Sequence, residues 1–363
     1  MNRRQFLRYS AFYGLSAALG NRLSWARNPE APLTDKTSLK GLRIIDAHAH
    51  PEKYITDSRQ IDETSTLKAI NGLGMVASCF AAVGDRVYLS QDRIPGNEYG
   101  STKTQLEWWV KGIVKSAKVK IIRKASDIPN SIGPGDPPGA ILSVEGGDPL
   151  GGNPDRVDEL YQIGVRMITL VHYRNNELGD TMKNWRNLNP GPMHNGLPPA
   201  GRKVVKRMQE LGMVVDVAHT HTATLRQIAE ISEKPLVDSH TSPCPIEDSE
   251  KCGRFRTWKD MEVVAKGKGV ICTWPMAYAR GGTRKTFSDW ANEILEMKKR
   301  LGMEHVGLGT DGGGNIPSLI EGYRDVRDLI HLVAAMKDVG LSSDDISAYM
   351  GGNFYRVFQS YTG

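Results

Sequence analysis

The sequence predicts an α/β protein folded as a (β/α)8 barrel of the TIM type with irregular rim loops. Eight short apolar segments rich in Val and Ile alternate with amphipathic segments of helical periodicity, which is the order that a closed parallel barrel requires. Polar residues stand at the ends of several apolar segments, where such barrels carry their functional side chains. An open doubly wound sheet is the alternative, but no GxGxxG follows the first segment and the chain contains no P-loop.

The first 26 residues have the layout of an export signal. The pair Arg3-Arg4 precedes an apolar stretch, Ala11–Leu19, and the segment closes with small residues at 24–26. Because the arginine pair resembles a bacterial twin-arginine signal, we expect a periplasmic or otherwise exported protein that engages the twin-arginine export machinery. A basic N-terminus without a signal function is the alternative.

The charge of the remaining chain is nearly balanced. The whole sequence carries +6, and residues 1–26 hold four arginines and no acid, so 6 − 4 leaves +2 for the rest. No Lys/Arg run with interleaved aromatic residues occurs, and we therefore expect no nucleic-acid partner. Residues 27–40 are predicted as a linker and residues 41–363 as one barrel domain.

The eight apolar segments are predicted as the barrel strands: Leu42–Ala47, Met75–Val83, Ala140–Val144, Arg166–Val171, Met213–Ala218, Pro235–Ser239, Gly269–Thr273 and His305–Thr310. Helices are predicted at Gly201–Leu211, Thr222–Ile231, Trp258–Ala265, Ser288–Leu301 and Val326–Lys337. Gly212 is the predicted C-cap of the first of these helices. Ser288, followed by Asp289, is the predicted N-cap of the fourth.

Two irregular stretches and two cysteines complete the organisation. Ile128–Gly139 and Leu188–Ala200 are dense in Pro and Gly, and we predict loops beside the barrel rim, where long loops shape substrate pockets. Cys244 and Cys252 are close enough in sequence to pair in an oxidising compartment. Free buried thiols are the alternative.

The first predicted strand leads into His48-Ala49-His50. Residues i and i+2 of a strand point the same way, so one metal ion can take both imidazoles. Three further ligand candidates stand at strand ends: Glu145, His219 and His240. Five ligands exceed the three that a catalytic zinc takes, which favours two metal ions bridged by Glu145. We expect two Zn²⁺ per chain, with Mn²⁺ or Co²⁺ as alternatives.

Two more strand-end residues are predicted to act in catalysis. Asp311 follows the last strand and precedes three glycines; a carboxylate beside the attacking water is a natural proton acceptor. His172 follows the fourth strand and is predicted as a further ligand or as an electrophile that stabilises an oxyanion. The remaining histidines are interpreted as structural or solvated: His194, His221, His305 and His331. The combination predicts a metal-dependent hydrolase.

The segment Leu42–Phe358 resembles the renal (membrane) dipeptidase family of the amidohydrolase superfamily. The most specific stretches are GVRMITLVHYRNN, GRKVVKRMQELGMVVDVAHTHTATL, PLVDSHTSP, HVGLGTDG and GGNFYRVF. The resemblance implies a binuclear zinc site in a (β/α)8 barrel. It also implies the hydrolysis of dipeptides, often with tolerance for a D-residue at the C-terminal position.

The resemblance implies that His48 lies on the first metal ion, that Glu145 bridges, and that His219 and His240 hold the second. Members of the family usually carry Asp at the position of His50. This chain therefore has the HxH pattern of the wider superfamily, and its site is about one charge more positive.

Substrate contacts follow from the same resemblance. His172 would bind the scissile carbonyl oxygen, and Asp311 would handle the proton. An arginine after the second-metal histidines would hold the substrate carboxylate by a bidentate pairing; Arg256 is the first choice and Arg254 the second. The usual acidic–aromatic–acidic segment after the last strand is replaced by Asp311 and three glycines.

The predicted function is an exported binuclear dipeptidase acting on small peptides. The alternatives are another hydrolase of the superfamily, acting on a lactone, an N-acyl amino acid or a phosphoester, and a non-catalytic binding protein derived from the barrel. An exported redox enzyme is disfavoured because the chain has neither a cysteine cluster nor a dinucleotide fingerprint. Assembly as a homodimer is a further expectation.

Overall fold

Eight parallel strands form a nearly closed barrel, as predicted. The computed structural model describes residues 39, 41–51, 66–85, 97–113, 119–133, 135–183, 191–244, 246–277 and 284–363. The predicted export signal, and the predicted linker apart from residue 39, lie outside the described residues. The strands are β1 (Ile45–Ala49), β2 (Ala77–Val83), β3 (Lys120–Ile121), β4 (Gly139–Glu145), β5 (Val165–Thr169), β6 (Val214–Asp216), β7 (Val237–Thr241), β8 (Val270–Thr273) and β9 (Val306–Leu308).

Neighbouring strands follow the chain order around the barrel. The order is β1-β2-β4-β5-β6-β7-β8-β9, all pairs are parallel, and the short β3 adds to the start of β4. The ring closes between β1 and the segment after β9. There the Asp311 amide donates to His48 O at 2.9 Å, and the His50 amide donates to Gly312 O at 2.7 Å. The seam therefore brings the first and last predicted site residues together.

Alternation along β4 explains why a carboxylate can point into the barrel. Leu142 and Val144 pack in the outer apolar layer beneath the helices, whereas Ile141 packs in the inner layer. Successive strand residues point to opposite faces, so Glu145 lies on the same side as Ile141. The last inward position of β4 is thus polar, and it lies at the carboxyl end of the barrel.

Helices cover the outside of the barrel. They are α1 (Thr66–Leu73), α2 (Glu98–Trp108), α3 (Asp155–Ile163), α4 (Pro199–Leu211), α5 (Thr222–Ile231), α6 (Ser249–Cys252), α7 (Trp258–Lys266), α8 (Phe287–Leu301), α9 (Leu329–Asp338), α10 (Ser343–Ser347) and α11 (Asn353–Thr362). Short 3-10 or π segments lie at Trp109–Ile113, Ala125–Asp127, Asp148–Leu150, Met303–His305, Val326–Asp328 and Ala348–Gly352. In α4, Val204, Val205 and Met208 are buried and Arg202 and Lys203 face solvent, as the sequence pattern predicts.

Of the two predicted helix caps, one is confirmed and one is wrong. Gly212 ends α4 in the left-handed region at φ 76°, as expected of a C-cap. Helix α8, however, is capped by Thr286 and not by Ser288: Thr286 accepts from the Asp289 amide, and Asp289 caps the Thr286 amide in return. Because this capping box satisfies two helix-end donors, the helix begins earlier than predicted and Ser288 lies inside it.

The C-terminal helix α11 packs against the amino-terminal end of the barrel. Phe354, Val357 and Phe358 are buried in one cluster with the inner strand residues. The loop from Ile128 belongs to the same end, because it leads into the start of β4. The prediction that Ile128–Gly139 lies beside the pocket is therefore wrong. Chain direction decides this, since only loops that follow strands reach the carboxyl end.

Cys244 and Cys252 form a disulfide after β7, which resolves the two alternatives in favour of pairing. Cys79 and Cys272 are buried as free thiols within the barrel. Among the described residues, no helix has both the length and the apolar character needed to span a bilayer.

Candidate metal centre

The predicted site residues converge at the carboxyl end of the barrel. His48 and His240 lie within β1 and β7, and Glu145 is the last residue of β4. The others follow a strand by one to three residues: His50, His172, His219 and Asp311. All seven are buried, with exposed fractions between 0% and 8%. The rule that parallel strands deliver their functional residues at one end is confirmed by this placement.

Glu145 lies at the centre of the cluster. Its Oε1 is 3.0 Å from His219 Nε2, 3.3 Å from His240 Nε2 and 3.5 Å from His48 Nε2. Its Oε2 is 3.5 Å from Nε2 of both His50 and His172. The Nε2 atoms of all five strand-end histidines therefore lie within 3.5 Å of a Glu145 carboxylate oxygen.

The cluster contains two groups that fit a metal ion, and they share Glu145. The first is His48, His50 and Glu145, and the second is Glu145, His172 and His219. His240 belongs to the second side, because its Nε2 is 3.1 Å from His219 Nε2. Imidazoles with a carboxylate are the donor set that zinc and related divalent ions prefer.

Unsatisfied buried polar atoms support the fit to a cation. Within the described part of the chain, no hydrogen-bond partner exists for either ring nitrogen of His48, for Nδ1 of His219, for Oε2 of Glu145 or for Oδ1 of Asp311. Such atoms are rare in folded proteins because each costs free energy. A cation bound among these atoms would take up their lone pairs.

Hydrogen bonds behind the ligands orient the rings. His50 Nδ1 lies 2.9 Å from Ala81 O, and since a carbonyl only accepts, Nδ1 is the donor. His240 Nδ1 lies 2.9 Å from Ser239 Oγ, which donates its proton to Asp216 and so accepts from the ring. In both residues Nε2 is left as the ligand atom, directed at Glu145.

The surroundings favour the ligand forms of Glu145, His219 and His240, whereas they favour the protonated form of His48. Burial by itself would raise the pKa of Glu145, but His172 and His48 outweigh it and hold the pKa well below its usual value. Burial lowers the pKa of His219, and it lowers that of His240 to about 3 with help from His48. Burial opposes protonation of His48 too, yet the Glu145 charge raises its pKa to about 9. The carboxylate is ionised and His219 and His240 are neutral at pH 7, as metal binding requires.

Two site residues adopt the left-handed backbone region. His219 has φ 66° and Asp311 has φ 49°, although neither is a glycine. Such backbone costs on the order of 1–3 kcal/mol and recurs at functional sites. The glycines after Asp311 serve the same turn: a Cβ on Gly314 would come within 2.0 Å of Asp311 Oδ1. At Gly314 the close neighbour is therefore the Asp311 side chain.

Asp311 and His172 face the cluster with defined partners. Asp311 Oδ1 is 3.3 Å from His50 Nε2. Burial would raise the Asp311 pKa, but the neighbouring histidine rings, His50 foremost, lower it. His172 Nδ1 is 3.0 Å from Asp85 Oδ1; burial opposes its protonation, and the Asp85 and Glu145 charges raise its pKa.

A small cavity opens beside these groups. It has about 200 Å³ of empty space, including the part open to solvent, and its lining is Glu145, His172, Tyr173, His219, His240, Arg254, Trp274, Asp311 and Asn315. Arg254 is 2% exposed, and burial lowers its pKa. The lining of the cavity thus combines a buried guanidinium with residues of the metal-ligand cluster.

Comparison with known proteins identifies the family. The sequence profile described as membrane dipeptidase (peptidase family M19) matches residues 38–362. This chain belongs to the membrane dipeptidase family.

Known members of the family resemble it in sequence or in fold. Dipeptidase tcpJ of Claviceps purpurea is 27% identical over 67% of this chain and 56% of its own length. The probable dipeptidase PvdM of Pseudomonas aeruginosa has a TM-score of 0.76 at 20% identity, over 90% of this chain and 97% of its own. A metallo peptidase of Rhodobacter sphaeroides, solved with a phosphinate mimic of L-Ala-D-Ala, has a TM-score of 0.74 at 18% identity, over 89% and 100%. This chain spans about half the length of the curated relatives that it matches.

The structure does not place Arg256 in the cavity of this membrane dipeptidase family member. Its Nε donates to Asp238 at 2.8 Å, and its other nitrogens donate to Thr220 and to the carbonyl of Val217. The first choice for the carboxylate-binding arginine therefore needs correction, because these contacts occupy its guanidinium. Arg254, the second choice, lines the cavity.

Sequence reasoning missed four residues at the site: Asp85, Tyr173, Trp274 and Asn315. Asp85 orients His172 and follows β2 by two residues, so the strand-end rule would have found it. Tyr173 and Trp274 line the cavity. In the sequence they are aromatic residues next to apolar strands, a pattern that indicates residues of the hydrophobic core. Of the histidines interpreted as structural, His221 accepts from the Ala223 amide and His305 Nδ1 contacts Gly269 O. His194 Nε2 contacts Asn176 O and His331 packs near Phe287, so all four lie outside the cluster.

Proposed function

We propose that this chain is a binuclear zinc-dependent dipeptidase. The observation that carries the proposal is Glu145, which belongs to both potential metal groups and has histidines of both groups within 3.5 Å of its carboxylate oxygens. His48 and His50 would hold one ion, and His219 and His240 the other, with Glu145 shared. Bound divalent ions would supply Lewis acidity and a water of lowered pKa.

The chain's own residues would orient the peptide and move the proton. His172, held through Nδ1 by Asp85, presents Nε2 to the cavity and would donate to the scissile carbonyl oxygen. Asp311 Oδ1 would accept the proton of the attacking water and return it to the leaving amine. Its lowered pKa keeps it ionised at neutral pH, in the form that a proton acceptor needs.

The cavity favours a short substrate with a free carboxylate. Arg254 is buried at its edge, and a guanidinium pairs with a carboxylate in a planar, directional way. The R. sphaeroides relative bound to an L-Ala-D-Ala mimic supports including D-residues at the C-terminal position in the proposal.

We further propose that the protein acts outside the cytoplasm after twin-arginine export. Support comes from the basic and apolar layout of residues 1–26 and from the Cys244–Cys252 disulfide, which persists in oxidising compartments. A fusion of residues 1–40 to a reporter that fluoresces only after folded export would test this. Export should stop when Arg3-Arg4 is replaced by Lys-Lys.

A second candidate is the hydrolysis of N-acyl amino acids or related compounds. It is favoured by His50, which stands 3.5 Å from Glu145 and 3.3 Å from Asp311 where the family usually has Asp. A neutral ligand in place of an anion leaves the first metal side more electrophilic. Arg254 would serve such a substrate equally well, because the carboxylate is retained.

Metal content and hydrolysis measured together test these proposals. The full chain is purified, its metal is quantified, and it is assayed on L-X-D-Ala and L-X-L-Ala dipeptides beside N-acetyl amino acids. Two zinc ions per chain with dipeptide cleavage is the expected result. Two ions with cleavage of the acyl compounds alone would favour the second candidate, and absence of stoichiometric metal would favour a binding protein and overturn the site.

A further inference from the structure

Trp274 carries an unsatisfied hydrogen-bond donor in the cavity wall. The residue follows β8 and is 1% exposed, and its Nε1 has no hydrogen-bond partner within the described residues. An indole N–H can only donate. Buried tryptophans normally have a hydrogen-bond acceptor for this group. The Trp274 N–H is therefore available to an acceptor on a ligand bound in the cavity.

Trp290 provides an internal comparison. It is equally buried, yet its Nε1 donates to Thr273 Oγ1 at 2.7 Å. Thr273 directly precedes Trp274 in the chain, so two tryptophans of the same region differ in this one respect. The fold therefore satisfies a buried indole where the ring is only part of the core, and leaves unsatisfied the one that lines the cavity.

The surroundings of Trp274 locate the missing acceptor. Arg254 Cζ lies 5.2 Å from the centroid of the Trp274 ring, and the His240 ring lies 5.5 Å away on the metal side. Trp274 therefore lies beside both the Arg254 guanidinium and the His240 ring of the metal-ligand cluster. A dipeptide whose scissile bond is at the cluster would place its C-terminal residue against this ring.

Arg254 also has one donor atom without an acceptor among the described residues. Its Nη1 contacts Met182 Sδ at 3.3 Å and its Nη2 contacts His240 O at 3.4 Å, but Nε has no partner among the described residues. Two buried N–H groups on neighbouring side chains thus line one cavity and need an acceptor. A carboxylate has two oxygens and accepts one hydrogen bond on each, with its negative charge strengthening both.

We propose that Trp274 is a specificity-determining residue whose indole N–H binds the substrate's terminal carboxylate together with Arg254 Nε. This inference rests on the proposed function and extends it to a second donor. The consequence is discrimination: a site built to hydrogen-bond a group strongly rejects the analogue that lacks it, because the donors are then left buried and unpaired. Substrates that end in an uncharged group would be poor.

The test uses Trp274→Phe in the metal-loaded full chain. Phenylalanine keeps an aromatic ring beside Arg254 and His240 and removes only the N–H. Trp258→Phe is the matched control, because Trp258 packs against Arg300 at 4.2 Å and does not line the cavity. Binding is measured by calorimetry with a phosphinate pseudo-dipeptide and with the same compound carrying hydrogen in place of its carboxylate.

The expected result is a ligand-dependent loss. Trp274→Phe should weaken binding of the carboxylate compound by about tenfold and change binding of the decarboxylated compound by less than about twofold, while Trp258→Phe leaves both unchanged. For a cleaved dipeptide, the same loss should appear in KM with kcat retained. If Trp274→Phe folds poorly, benzothienylalanine at position 274 is used instead, because it replaces N–H by sulfur in a ring of the same shape. It should give the same result.

Other outcomes separate the inference from the proposed function. If wild-type protein binds the carboxylate compound and the variants bind it equally well, the role of Trp274 is overturned and the dipeptidase proposal stands. Equal weakening of both compounds would also overturn it, because the N–H would then serve another part of the ligand. If the wild type binds neither compound, the dipeptide-binding function fails and the inference fails with it.

Discussion

The Asp85 carboxylate fixes His172 from behind, with Oδ1 3.0 Å from the ring Nδ1 and Oδ2 3.0 Å from the Tyr173 amide. One side chain therefore sets both the position of the ring and the direction of Nε2. Because the two residues are 87 positions apart in sequence, this contact joins the ends of two strands.

Asp85→Asn should reduce turnover while leaving the metal in place. The amide preserves the shape of the contact but removes the charge that supports a protonated His172. We expect kcat to fall about 10- to 100-fold, as for other residues that orient a site from outside, with metal content unchanged. Asp155→Asn, at an exposed position on α3, is the control; loss of metal in Asp85→Asn would contradict the assigned role.

Glu145→Gln should disrupt both metal positions. The substitution keeps the size of the side chain and removes the carboxylate that both histidine groups share. We expect metal content to fall below two ions per chain and activity to fall at least about 100-fold, both measured on the same preparation. Glu230→Gln on the exposed face of α5 should change neither. A variant that retains two ions and full activity would refute the bridging role.

The two arginines after β7 should fail in different ways. Arg254→Lys should raise KM for substrates with a carboxylate by roughly 10- to 100-fold, with little change in Tm. Arg256→Ala should instead destabilise the fold by about 3–5 kcal/mol, because it leaves the buried Asp238 without its ion pair. Thermal melts beside kinetics on both variants make the comparison. A KM effect confined to Arg256→Ala would return the carboxylate role to Arg256.

Asp148 should make stability depend on pH near neutrality. Burial, reinforced by the charge of Asp85, raises its pKa from 3.8 to about 7. A folded-state pKa above the unfolded value means that the contribution is fully present below about pH 4 and is lost as pH rises through 7. Relative to Asp148→Asn, the wild type should lose about 2–3 kcal/mol between pH 5 and pH 8. Chemical denaturation of both metal-loaded proteins measures the difference, and Asp338→Asn, an exposed change on α9, should show none.

The strands and the positions of the candidate metal ligands could be predicted because both depend on local pattern. A strand buried on two faces is an apolar run whatever its neighbours are, and the residue after such a run falls at the barrel mouth. His48, Glu145 and His240 were accessible to this reasoning. So was Asp85, although a Gly-Asp pair after a strand reads first as a turn.

The arginines and Trp274 depend on long-range contacts. Arg254 and Arg256 lie in an irregular segment where no periodicity says which side chain faces the cavity. The choice is decided by Asp238 and by backbone carbonyls at 217 and 220, which capture Arg256. Trp274 reads as a core aromatic, and only the absence of a partner for its N–H among the described residues distinguishes it. The contacts that decide these roles form only when the barrel has closed.

The seam between β1 and the segment after β9 has a consequence for how the molecule matures. The first metal side is built from His48 and His50, yet its backbone is held in register by Asp311 and Gly312. A ribosome must therefore translate nearly the whole chain before its earliest histidines have a stable place. A metal ion would therefore bind at this site only late in synthesis, after residues 311 and 312 have been made. A truncated product that lacks these residues could not complete the site.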